Sequence, residues 1–209
     1  MSLHIGDTAP DFTAGSTIGE LNFHQWAGDS WVFFFSHPAD FTPVCTTEMG
    51  RTAQLADKFA ARNTKPLGLS TDTAAEHLKW ISDVNETQHT SLQFPIVADP
   101  DLKVAKLYDM IHPEESETAA VRSVFIIDPH KKLRLTMTYP MNVGRNFDEI
   151  LRVIDALQLS DAKNIATPAD WSPGKKVIIP PSIKDDEAKT LFPQGWDELR
   201  PYLRLTDVT

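Results

Sequence analysis

A single cysteine, Cys45, stands in this chain of 209 residues, and its neighbours are not those of a packed core: Thr42, Pro43 and Val44 before it, Thr46, Thr47 and Glu48 after it. Proline has the fixed φ of a first helical position, and threonine is a common N-cap. The spacing therefore predicts a helix that begins at Pro43, with Cys45 in its first turn. Unpaired backbone N–H groups and the helix dipole favour an anion there. The thiolate is the nucleophilic form of cysteine, so this placement points to sulfur chemistry. About 3% of an ordinary cysteine is thiolate at pH 7, and raising that to about 90% takes about 3.4 kcal/mol. A helix terminus supplies up to about 2 kcal/mol. A cation must supply the rest, and Arg122 and Arg145 are the candidates. Thr42, three residues upstream, can bring its hydroxyl near the sulfur, while Pro38 and Pro43 restrict the loop. A lone cysteine is otherwise most often a small buried hydrophobe. Spacing alone leaves both readings open.

The same count excludes an intramolecular disulfide, a CxxC redox pair and a cysteine-rich zinc site. The seven histidines show no HExxH spacing, so no metal is expected. A net charge of −9 argues against nucleic acid or an anionic membrane as partner. The apolar run Trp31–Phe35 is far shorter than the roughly 20 residues that span a bilayer. The first residues have neither a basic nor an apolar leader segment, which predicts a cytoplasmic protein. With 41% hydrophobic and 23% charged residues, a disordered or low-complexity chain is excluded.

The elements that must position these residues read as follows. Trp31 to Ser36 has the composition of a fully buried strand. After the loop His37–Pro43 comes a helix to about Arg62. Pro66–Thr71 and Phe94–Ala98 read as strands, and the segments opening at Asp72 and Pro100 as helices. Val121–Asp128 and Leu133–Tyr139 form a hairpin, and a helix opens at Asn146 or Phe147. This alternation implies an α/β layered fold with a largely parallel sheet and an antiparallel edge. From about Ala162 prolines become frequent, with one strand at Lys176–Ile179 and one helix at Lys184–Leu191. So short a piece rarely sustains its own core. Trp171, Val177, Ile178, Ile179, Phe192 and Trp196 are therefore expected to dock on the main domain or on a second subunit.

The run Phe35–Glu48, with Pro38, Thr42 and Cys45 in the pattern Pro, three residues, Thr, two residues, Cys, resembles the peroxidatic loop of the peroxiredoxins. The His37-Pro38 pair and the Thr46-Thr47-Glu48 tail are similar to the 1-Cys subfamily. So are Val121–Phe125, Tyr139-Pro140, Gly144–Arg152, and the tail with Ala166–Pro168, Trp171, Phe192-Pro193 and Pro201–Arg204. The resemblance covers essentially the whole chain. It implies a thioredoxin-like α/β fold with a mixed central sheet (residues 1–161) and a small C-terminal dimerisation domain (162–209). It also implies a thiol-dependent peroxidase that reduces hydrogen peroxide and organic hydroperoxides without a cofactor. Cys45 would be the nucleophile and Thr42 would bond the peroxide. Arg122 would stabilise the thiolate and orient the peroxide, and Pro38 would shield the pocket. His37, Glu48 and Arg145 match supporting positions. The expected partners are a peroxide, a small-molecule or protein thiol as reductant, and a second copy in a homodimer or larger assembly. With no second cysteine, the sulfenic acid must wait for an outside thiol.

Three other readings compete. A peroxide sensor or holdase chaperone would use the same cysteine without turnover. An inert thioredoxin-like binding module would need Cys45 unreactive. A phospholipase-like Ser-His-Asp set, described for some relatives, would rest on Ser30 and His24. However, Gly28–Val32 is not GxSxG, Ser30 precedes a strand rather than a helix, and His130 stands where the aspartate aligns, with Asp128 two residues away.

Overall fold

The computed structural model describes residues 3–208. The chain divides into two compact units, residues 1–147 and 148–209. The first holds β1 (Thr13–Ser16), β2 (Gly19–Asn22), α1 (Phe23–Ala27), β3 (Trp31–Ser36), α2 (Pro43–Gln54), α3 (Ala56–Ala60) and β4 (Thr64–Ser70). It continues with α4 (Ala74–Gln88), β5 (Ile96–Ala98), α5 (Lys103–Leu107), β6 (Arg122–Ile127) and β7 (Leu133–Tyr139).

Its seven strands form one sheet in the order β2-β1-β5-β4-β3-β6-β7. Only β5, β4 and β3 run parallel, and every other pairing is antiparallel. The sheet is thus mixed. The expectation of a largely parallel sheet is corrected, because β6 enters beside β3 from the opposite direction instead of through another parallel crossover.

β3 is an interior strand, between β4 and β6, and is buried along its whole length. Its side chains alternate between two faces, as a strand requires. Val32 and Phe34 enter a cluster with Phe12, Phe23, Tyr108 and Phe125. Phe33 and Phe35 stack at 4.5 Å on the other face, with Phe59 a further 5.3 Å from Phe33. The predicted long helix from Pro43 is two helices. At Leu55 the backbone leaves the helical region (φ −95°, ψ 9°), and its N–H is shared between Arg51 and Thr52 carbonyls. α2 packs closely on α4 at Gly50, where a Cβ would collide with the Gln88 side chain.

The second unit contains most of α6 (Phe147–Lys163), then β8 (Val177–Ile179), α7 (Asp185–Leu191), β9 (Asp197–Arg200) and β10 (Leu203–Thr206). Its three strands form an antiparallel sheet, β8-β10-β9. The unit has a core of its own: Ile165, Trp171, Val177, Ile179, Ile183, Ala188 and Phe192 are buried together, with Ala156 and Leu159 of α6 against them. The expectation that this segment lacks a core is corrected. The C-terminal half of α6 supplies the apolar face that the tail alone would lack. No helix among the described residues is long and apolar enough to cross a membrane.

Phe34 is fully buried, with Tyr108 at 5.0 Å edge-on and Phe12 and Phe23 each at 5.8 Å. Phe34→Ala is expected to destabilise the protein by about 3–5 kcal/mol, read as a lowered denaturation midpoint in urea.

Candidate active site

β3 ends at Ser36, and the loop 37–42 leads directly into α2. Cys45 is the third residue of α2, behind Pro43 at its first position and Thr42 as N-cap. The Thr42 hydroxyl does not cap the helix; it donates to the Ala39 carbonyl at 2.9 Å. Cys45 is fully buried. Pro38 is half-buried at the start of the loop. Phe41, at the tip, has φ 55° and is 55% exposed. A non-glycine residue in that left-handed region stores about 1–3 kcal/mol of strain.

Because β6 runs antiparallel to β3, its first residues lie beside the last of β3. Phe35 pairs with Val124, the Ser36 hydroxyl donates to the Val121 carbonyl, and the Ser123 N–H donates to the Ser36 hydroxyl. This register delivers Arg122, the first residue of β6, to the sulfur. Its Nη1 lies 3.4 Å from Cys45 Sγ and also donates to Glu48 Oε2 at 2.8 Å, while its Nε donates to the Met141 carbonyl.

Arg145 arrives from the loop that follows β7. Its backbone N–H and its Nε each donate to Glu48 Oε1 at 2.9 Å, and its Nη2 donates to Glu48 Oε2 at 2.6 Å. Its Nη1 donates to the carbonyls of Ser36 and Ser123, and the guanidinium sits over the Phe35 ring at 5.1 Å. Of the two cations considered from sequence, Arg122 touches the sulfur, while Arg145 holds Glu48. All three charged side chains are at least nine-tenths buried. Burial alone would push the Glu48 carboxyl up, but the charges and hydrogen bonds of Arg145, with help from Arg122, hold it below its ordinary value.

A second buried cluster adjoins the loop. His37 Nε2 donates to Asp40 Oδ1 at 2.9 Å, and His77 of α4 meets Asp40 Oδ2 through Nδ1 at 2.6 Å. The Asp40 N–H and the Ser70 hydroxyl both donate to Asp72 Oδ2. His37, Asp40 and Asp72 offer ligand atoms within 4.8 Å of one another, yet their contacts are hydrogen bonds within the cluster. Desolvation holds the His37 imidazole below its ordinary value, with Asp40 opposing in part.

Sequence reasoning missed Asp40, His77 and Trp80. The latter two stand three residues apart on α4 and are both buried, so helical spacing was the signal for a shared inward face. The Ser30 and His24 pair does not form a hydrolytic set. Ser30 Oγ donates to Asn63 Oδ1, and His24 Nε2 meets the Ala9 carbonyl.

Fold and site together define a class: a thioredoxin-like domain that presents a buried cysteine in a helix's first turn against an arginine. The comparisons make it specific. The AhpC/TSA family model matches residues 5–136, and that of the C-terminal domain of 1-Cys peroxiredoxin matches 156–195. The chain is 51% identical over 204 residues to a 1-Cys peroxiredoxin of Dictyostelium discoideum, covering 98% of this chain and 85% of that protein. It is 50% identical over 211 residues to the mitochondrial peroxiredoxin PRX1 of Saccharomyces cerevisiae, covering 98% and 80%. A solved structure of yeast mitochondrial 1-Cys peroxiredoxin superposes with a TM-score of 0.93 at 49% identity, covering 99% of this chain and 100% of the other. A cysteine-to-serine mutant of the peroxiredoxin 6 of Arenicola marina gives 0.93 at 45% identity, covering 99% and 98%. The chain belongs to the 1-Cys peroxiredoxins, the thiol-dependent peroxidases, and its one cysteine accords with that membership.

The expectation of a cytoplasmic protein is corrected by the mitochondrial relative. A leader is a short segment apart from the fold it delivers, so this fold does not by itself place the chain in the cytoplasm.

Two expectations follow. Glu48→Gln would leave two buried guanidiniums without their counter-charge and cost about 3–5 kcal/mol, measurable by urea unfolding at pH 7. The pH dependence has a defined sign. Both His37 and Glu48 bind protons less readily when folded, so their stabilisation is complete above the unfolded values and is lost as pH falls. Stability should decline first below about 6.5, the ordinary histidine value, and further below 4.5, the ordinary glutamate value. Unfolding free energies measured between pH 8 and 4 that rise on acidification would contradict this.

Proposed function

We propose that Cys45 is the nucleophile with which this peroxidase reduces hydrogen peroxide and organic hydroperoxides. The observation that carries this reading is the 3.4 Å approach of Arg122 Nη1 to a cysteine in the first turn of a helix. Arg122 and Arg145 around one Glu48 carboxylate leave one net positive charge in a buried site. A thiolate at Cys45 balances that charge.

The thiolate attacks one peroxide oxygen. The O–O bond breaks, and the leaving oxygen keeps its electron pair and takes the proton of the attacked oxygen to depart as water or an alcohol. The sulfenate left at Cys45 takes a proton from solvent to become the sulfenic acid. Charge develops on the leaving oxygen, and donors already aimed at it lower the barrier. Arg122 serves in this role, and the Thr42 hydroxyl, which donates to the Ala39 carbonyl in the free site, joins it when a bound peroxide becomes its acceptor, with Pro38 limiting water. Arg145 acts through Glu48, which fixes the Arg122 guanidinium, and His37 supports the loop.

A first outside thiol then attacks the sulfenic sulfur and releases water, leaving a mixed disulfide. A second thiol displaces Cys45 and carries off the disulfide. A yeast relative resolves its thiol via glutathione/thioredoxin systems, and a small or protein thiol of this kind is the reductant here. The match of the second unit to the 1-Cys C-terminal domain supports a division into a peroxidase domain (1–161) and a dimerisation domain (162–209), and a homodimer. The chain requires no metal, haem or flavin for these steps.

Cys45→Ser is expected to abolish peroxide consumption in the presence of a thiol. Arg122→Ala should lower the rate constant for hydrogen peroxide by at least about a hundredfold. The direct test treats the reduced protein with one equivalent of hydrogen peroxide and a sulfenic-acid trap. An adduct on Cys45 in peptide masses is the expected result, and an unmodified Cys45 would overturn the reading.

A further inference from the structure

The two halves of the proposed cycle make opposite demands on one turn of helix. Attack on peroxide needs the first turn of α2 folded, because that turn holds Cys45 beside Arg122. Reduction needs an outside thiol to reach a sulfur that is fully buried, so the same turn must move. Whatever holds the turn divides the rate between the two halves.

The contacts around the turn converge on one side chain. The N-cap Thr42 makes no side-chain cap. Instead, the Thr46 hydroxyl donates to the Thr42 carbonyl at 2.8 Å, doubling the helix's first backbone bond from Thr46 N–H to that same carbonyl at 3.0 Å. The Thr46 hydroxyl in turn accepts from Trp80 Nε1 at 3.2 Å. Trp80 is 1% exposed on α4. Its ring lies 5.2 Å from that of His37, at the start of the loop, and 6.4 Å from that of Phe41, at the strained tip. One indole thus touches the loop's beginning, its tip and the helix turn that follows. An indole N–H only donates, and a buried donor left without a partner is disfavoured. Opening the turn would strip Trp80 of this acceptor. The left-handed Phe41 pulls the other way, since its strain is relieved when the loop lets go.

We propose that Trp80 is a positioning residue for the peroxidase cycle: its Nε1–H bond to Thr46 Oγ1 keeps the first turn of α2 closed around Cys45, and release of that bond governs access of the outside thiol. The inference rests on the reading of Cys45 as the nucleophile.

The test separates the two half-reactions in Trp80→Phe, which keeps a ring but loses the donor, and Thr46→Val, which keeps the shape but loses the hydroxyl. Rapid-quench mass spectrometry would follow sulfenic acid formation with hydrogen peroxide, then its loss with dithiothreitol. In each variant formation should slow and reduction should quicken, each by about three- to tenfold, the scale of one neutral hydrogen bond. Thr46→Val also loses the hydroxyl's bond to the Thr42 carbonyl, so its effect should be at least that of Trp80→Phe. The double variant should change no further than Thr46→Val alone, because the Trp80 bond is already gone there. Rates that stay unchanged, that both fall, or that multiply in the double variant would overturn the proposal. Should Trp80→Phe fail to fold, the half-buried helical Thr46→Val decides by the same opposition of rates. A wild-type protein that forms no sulfenic acid at Cys45 would instead refute the underlying reading.

Discussion

The site depends on one carboxylate between two guanidiniums. Glu48 accepts from Arg122 and from three donors of Arg145, all in the interior. Burying any one of these charges alone would be strongly unfavourable, and the pairing makes their burial tolerable. Neither guanidinium can shift without leaving a charge unmatched, so Arg122 is held where its Nη1 meets the sulfur. The cluster also ties α2 to the ends of β3 and β6, through the Arg145 bonds to the Ser36 and Ser123 carbonyls.

The rest of the first unit serves this arrangement. β3 is buried on both faces by aromatic rings, which makes its end a rigid point of departure for the loop. Phe35 contributes twice, packing in the core and carrying the Arg145 guanidinium on its face. Gly50 lets α4 approach α2 closely, which brings His77 and Trp80 to the loop from the other side. In the proposed cycle a small peroxide and a bulkier thiol use the same sulfur in succession. A stiff frame around one short, strained loop suits that cycle: the frame preserves the charge cluster, and only a single turn would have to move.

Much of this was legible from residue type alone. Trp31–Phe35 is aromatic or β-branched at every position, and with Ser36 it is a strand with the bounds expected. Pro43 behind a threonine starts a helix because proline's φ and missing N–H suit only that position. The two strands of the second unit nearest the C-terminus were not legible. β9 is exposed at every residue and charged at three of four, so it has no alternating pattern to read. The break at Leu55 was also hidden, since its neighbours keep helical composition on both sides.

Local chemistry, then, is what the sequence determined by itself: one thiol, the turn of helix that holds it, and two arginines able to serve it. Local chemistry depends on neighbours a few residues away, and those are written in order along the chain. Which arginine reaches the sulfur was decided only by the tertiary structure. Arg122 lies 77 positions from Cys45 and arrives because β6 pairs antiparallel with β3 in one register. A shift of one residue would turn its side chain to the opposite face of the sheet. Asp40, His77 and Trp80 likewise gain their places only when α4 packs on α2: the spacing of His77 and Trp80 marks an inward face of α4, and only the fold decides what that face meets.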